Sequence, residues 1–156
     1  MKIASFSLAV VFACTALAVH AASYGETQPV VVLPNHAKLV MSAPVPASLV
    51  GKFGPGWTQL VLVRPNGATV HPLFKDQLTA AGGVVFSEPR EEAVSPDGRY
   101  IVIDLTRSGV LDRGDGQPTV TGRQYCPILD TETGCVTRDE TGDICGGKWD
   151  AQQSAW

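Results

Sequence analysis

From Ala22 onward the apolar residues come only in short runs, each cut off by proline, glycine or a turn pair such as Asn66-Gly67 or Asp97-Gly98. An amphipathic helix needs an apolar stripe sustained over several turns, and these interruptions leave no room for one. Strands of a few residues joined by tight turns fit the pattern instead. The interruptions come from 16 glycines and 11 prolines. Between them Val, Ile and Thr recur, the β-branched residues that suit a pleated, half-buried surface. An all-β chain of consecutive hairpins is therefore expected.

The N-terminus breaks the pattern. Lys2 is followed by an uncharged, largely apolar stretch from Ile3 to Val19, ending at Val19-His20-Ala21. A single positive charge, a short apolar run and small residues at the first and third positions before a cut are the marks of a secretory signal, so cleavage after Ala21 is expected. Residues 22–156 then form a single β-rich domain, with no stable membrane insertion after cleavage. Of 12 basic residues only Lys2 is lost, which leaves 11 against 15 acidic ones with no basic cluster. A nucleic-acid partner is not expected of such a surface. Cys14 also leaves with the signal, and Cys126, Cys135 and Cys145 remain. In an oxidising compartment, periplasmic or secreted, three thiols allow one internal bridge and one leftover.

Along the chain, Pro29–Leu33 reads as a first strand ended by Pro34-Asn35. Ala43–Val50 holds Pro44 and Pro46 and reads as an edge strand at best, followed by a loop over Gly51–Gly56. Trp57–Val63, the turn Arg64–Gly67 and Ala68–Phe74 make one hairpin. Lys75–Ala81 is expected to form a helical turn before a strand at Val84–Phe86. In Arg99–Leu105, period-2 alternation puts Ile101, Ile103 and Leu105 on a core face. Gln124–Leu129, Cys135–Thr137 and Asp143–Trp149 are expected as two further hairpins. A second turn centred on Glu140 would set Cys135 opposite Cys145, so that pair is the expected disulfide, leaving Cys126 over.

The string Ser95-Pro-Asp-Gly-Arg-Tyr-Ile-Val-Ile-Asp104, with Cys126-Pro-Ile-Leu-Asp-Thr-Glu-Thr-Gly134, resembles one blade of a TolB-type or Trp-Asp-repeat β-propeller across residues 95–149. The chain lacks the repeats that a closed propeller needs. The expected fold class is thus all-β, a compact β-sandwich or incomplete propeller-like sheets, with Pro44, Pro46 and Pro127 blunting exposed edges.

Catalytic constellations are sparse. His36 and His71 are the histidines beyond residue 21, and no Gly-x-Ser-x-Gly elbow is present. Thr133–Arg138 resembles the Gly-Cys-Val-Arg nucleophile segment of the L,D-transpeptidases, with an extra Thr137 and no His-Gly element shortly upstream. His36, His71 and Cys126 lack the close spacing of zinc ligands, and Asp112–Gly116 lacks the alternating oxygens of a calcium loop. Neither a catalytic residue, a metal nor a cofactor is expected.

The connection Thr106–Gly122, rich in Gly, Asp and Arg, is longer than a hairpin needs and reads as a protruding loop. Its Ser108, Gly109, Asp112, Arg113 and Asp115, together with Trp156, are the expected partner-binding residues, while Trp57 and Trp149 are expected in the core. A small exported β-domain with one disulfide and such a loop is similar to periplasmic inhibitor and immunity proteins. The expected function is a non-enzymatic block on a protein partner, a cell-wall hydrolase. The alternatives are a wall-remodelling enzyme using Cys135 or Cys126 with His71, and a structural module of the envelope.

Overall fold

The computed structural model describes residues 28–72, 77–114, 116–142, 145–150 and 156. The expected signal segment and its expected cleavage point, Leu73–Asp76 and Asp115 lie outside them. Among the described residues the fold is mostly β, with two antiparallel sheets, one short α-helix and no closed barrel.

The larger sheet has seven strands. Val30–Val32 (β1), Lys38–Pro44 (β2), Trp57–Val63 (β3), Gly82–Phe86 (β5), Leu105–Leu111 (β7) and Thr119–Tyr125 (β8) follow one another across it, and Thr69–Val70 (β4) pairs with β3. The smaller sheet joins Tyr100–Val102 (β6), Ile128–Asp130 (β9) and Val136–Arg138 (β10) in the order β10-β9-β6.

Alternation decides which side chains meet between the sheets. Leu39 and Met41 of β2, Leu60 and Leu62 of β3, Val84 and Phe86 of β5, and Leu105 of β7 turn one way. Ile101 of β6 and Leu129 of β9 meet them from the small sheet, with Leu33, Ala37 and Ile103 from the connections. On the small sheet's other face Val102 and Ile128 pack with Ala93, Cys126 and Cys145, beneath Tyr100, Trp149 and Trp156. The strands β6 and β9 are thus covered on both sides, while Thr137 and Arg138 of β10 stay exposed.

The two sheets share chain. Ile101, Ile103 and Leu105 are each fully buried, as their spacing implied, but they do not belong to one strand. The chain leaves β6 at Ile103-Asp104 and enters β7 in the other sheet, and the return path crosses back at Cys126-Pro127 between β8 and β9. The Ile103 N–H donates to the Pro127 carbonyl at 2.9 Å, tying the two crossings together. Pro127 is therefore buried at a crossing and blunts no edge.

Other local expectations change for identifiable reasons. Ala43–Val50 is not an edge strand. Its first residues end β2, which lies between β1 and β3, with Pro44 opposite Trp57 at the strand's last position. Pro46 then precedes the helix Ala47–Phe53 (α1), where a missing N–H costs nothing, so Gly51–Phe53 is helical too. The described part of Lys75–Ala81 is no helical turn: Thr79 closes a tight turn onto Gly82. Gly82 lies against Gly109 across β5 and β7, and a Cβ on Gly82 would collide with the Ser108 carbonyl.

The expected Cys135–Cys145 bridge is corrected to Cys126–Cys145, with Cα atoms 5.4 Å apart and Cys135 free and exposed. The chain after β10 does not fold back on that strand. It runs beside the end of β8, where Thr141 bridges to Tyr125 and the Glu140 carbonyl accepts from the Cys126 N–H at 2.9 Å. That path delivers Cys145 to Cys126. The disulfide is a bond that an oxidising compartment sustains. No helix among the described residues is long and apolar enough to cross a membrane.

Candidate functional site

The segment expected to be a protruding loop is a hairpin. β7 and β8 pair in continuous register from Leu105↔Tyr125 to Leu111↔Thr119. Ser108 and Gly109 consequently lie within a paired strand, facing Gly122 and Thr121, and the loop shrinks to residues 112–118. In the sequence Gly109 and Gly122 dilute the strand pattern that Thr106, Val110, Thr119, Val120 and Thr121 supply, and the pairing of the two strands restores it.

The hairpin outreaches the sheet. Its contact with β5 ends at Gly82↔Gly109 and at the bond from the Val110 N–H to the Ala81 carbonyl, 2.9 Å. Every described residue from Leu111 to Gln124 is exposed, and Leu111 and Val120 leave 50 % and 41 % of their surface open to water. At the tip the Asp112 carboxylate accepts the Gly114 N–H at 2.8 Å, a local turn bond that holds the chain reversal. Arg113 extends from the same turn, and Asp115 lies outside the described residues.

The base is fastened by side chains. Gln124 donates its amide to both oxygens of Asp104, at 2.8 and 2.9 Å. The Arg107 guanidinium pairs with Asp139 at 2.9 Å and lies 4.3 Å from the centre of the Tyr125 ring. Directly across the strands from Arg107 stands Arg123. Like charges facing each other repel, and Asp139 compensates only Arg107. The Arg123 side chain has no ion pair or hydrogen bond among the described residues. It was not among the expected contact residues, and its significance arises from a cross-strand register that its position in the sequence does not show.

Trp156, the remaining expected contact residue, is half-buried in the second cluster, its ring centre 5.6 Å from that of Trp149. Trp149 in turn lies 5.9 Å from Tyr100 and donates its indole N–H to the Ala93 carbonyl at 2.9 Å. Trp57 packs against the main core.

The turns Ser95–Gly98 and Asp130–Gly134 dock on one another. The Ser95 hydroxyl donates to Asp97 at 2.7 Å and accepts the Tyr100 N–H at 2.8 Å. Burial pulls the Asp97 carboxyl upward, but the Arg99 N–H, the Ser95 hydroxyl and the Arg99 charge outweigh it and hold the group below its ordinary value. The buried Thr131 hydroxyl donates to the Gly98 carbonyl and accepts from the Asn35 amide, both at 2.9 Å. Arg99 reaches Asp130 and Glu132 at 3.6 Å each. These bonds join the two turns to each other and to Asn35.

Among the described residues no hydrogen bond joins Cys135 to His71, and Cys126 is in the disulfide. Val70, the neighbour of His71, sits against Gly134. The potential metal ligands gathered within 4.8 Å of one another among these residues are Asp104, Cys126 and Cys145, and the two sulfurs are bonded to each other. A hollow of about 530 Å³ runs along β1, lined by Val30, Val32, Pro34, Pro89, Val94 and Pro96 among others.

No protein-family model matches this chain, and no curated protein or solved structure matches it either.

Proposed function

We propose that the protein is an exported, non-enzymatic binding protein of the periplasm or extracellular space, and that it blocks a cell-wall hydrolase by engaging it with the β7–β8 hairpin. The observation that carries this reading is the hairpin itself. It reaches past β5 with both faces open, it carries Leu111 and Val120 on its exposed end, and its base is anchored by the core at Leu105 and by the Arg107–Asp139 and Gln124–Asp104 contacts. A paired projection with exposed apolar side chains just behind a polar tip suits entry into a cleft, because little conformational freedom is lost on binding.

The test replaces residues 112–118 with a Gly-Ser turn of equal length. Ser108–Leu111 must be kept, since they pair with β5 and β8. The reading expects unchanged thermal unfolding and loss of inhibition when peptidoglycan digestion by an envelope extract is followed with and without the protein. Equal inhibition by both forms, or inhibition by neither, contradicts it.

A further inference from the structure

Strands bond their backbones to alternate sides. The Val110 N–H points to Ala81, so even-numbered residues of β7 face β5 and odd-numbered ones face β8. Through the register, Thr119, Thr121 and Arg123 bond back to β7, while Val120, Gly122 and Gln124 turn their N–H and C=O groups outward. At the base this outer edge is covered. Gly142 lies against the Gln124 carbonyl and side chain, Thr141 bridges Tyr125, and Glu140 accepts from Cys126. From Thr119 to Arg123 no such cover exists among the described residues, and the stretch has no proline to blunt it; its one charge, the exposed Arg123, stands on the face of Leu105 and Tyr125.

Charge defines what fits there. On the face shared by Leu105, Arg107, Thr121, Arg123 and Tyr125, Arg123 stands uncompensated beside Arg107. A strand added to β8 would place a side chain about 5 Å from Arg123 on that face, and on the other face one beside Val120. We propose that the free edge of β8 from Thr119 to Arg123 takes up an extended strand of a partner protein, with a carboxylate side chain beside Arg123 and an apolar one beside Val120. Val120 and Gly122 together supply two donors and two acceptors to it. This is recognition by strand addition, in which the backbone provides affinity and alternate side chains provide selectivity. It rests on the reading of the hairpin as a protein contact.

The probes are a synthetic peptide alternating Glu with Val and Thr, its Lys-for-Glu counterpart, and a backbone N-methylated version. Binding is read by fluorescence anisotropy, and location by amide hydrogen exchange. The Glu peptide is expected to bind and to slow exchange at Val120 and Gly122, with the Lys and N-methylated peptides weaker by about tenfold or more. Arg123→Glu should reverse the preference toward the Lys peptide. Val120→Pro removes an outward N–H without touching the β7 ladder, and should abolish peptide binding while thermal unfolding stays cooperative. Indifference to peptide charge, unchanged preference in Arg123→Glu, or pairing of the edge with a second copy of the chain in sedimentation would each overturn the proposal. If peptide binding fails while the Gly-Ser turn still abolishes inhibition, the edge assignment falls and the hairpin reading stands. If peptide binds and the turn replacement changes nothing, the edge assignment stands and the block on a hydrolase through the hairpin tip falls.

Discussion

Replacing Cys126 by Ala removes a bridge that closes a sequence separation of 19 residues. In the chain-entropy account, opening a loop of that size costs about 3 kcal/mol. Cys126 is fully buried and Cys145 6 % exposed, packed with Val102 and Ile128, so truncation also loses some packing. Each of Cys126→Ala and Cys145→Ala breaks the same bond, and the double replacement should therefore cost scarcely more than one alone. Cys135 is exposed and unbridged, and Cys135→Ala should shift stability by no more than about 0.5 kcal/mol. Equilibrium urea unfolding of the four variants without reductant measures all of this, and a non-reducing peptide map identifies the bonded pair. The reasoning is refuted if Cys135→Ala is the costly variant, if the two single losses add, or if Cys135 is found joined to Cys145.

Thr131→Val keeps the shape of a fully buried residue but strands the Gly98 carbonyl and the Asn35 amide, and should lower the unfolding free energy by about 1–3 kcal/mol in urea. Gly98 holds φ 74°, and a Cβ there would lie 2.7 Å from the Asn35 backbone nitrogen. Gly98→Ala should destabilise by more than about 1 kcal/mol, where an unstrained site would gain from the same change. Asp97 is depressed in the folded state, so its contribution is present above its unfolded pKa and is lost as pH falls through the folded value. Stability should drop below the ordinary aspartate range, and Asp97→Asn should flatten that slope in urea midpoints taken across acid pH.

The sequence was legible wherever local chemistry decides. Turn residues at Arg64–Gly67 and Ser95–Gly98 mark real chain reversals, Trp57–Val63 reads as the strand it is, and alternation around Ile101 finds the core face. Choices made between distant segments were not legible. Which sheet a strand joins after Ile103 depends on Pro127, which lies far along the chain. The partner of Cys145 is set by the path of residues 139–142 along β8, while the spacing of the cysteines alone favours the wrong neighbour. The contact segment was found by its length but misread in form. Its glycines suggested a loop, although opposite strands can absorb a glycine each when their neighbours pair. Arg123 gains its meaning only from the register that sets it against Arg107.

On the proposed function, the β7–β8 hairpin is the surface that touches a partner protein. A photo-crosslinking residue placed at Val120, at Leu111, or as a control at the exposed Gln59 of β3 tests it directly. The protein is irradiated in envelope extract, and the adducts are separated and identified by mass spectrometry. The account predicts one shared adduct from positions 120 and 111 and none from 59. Adducts of equal yield from all three positions, or from 59 alone, would contradict it.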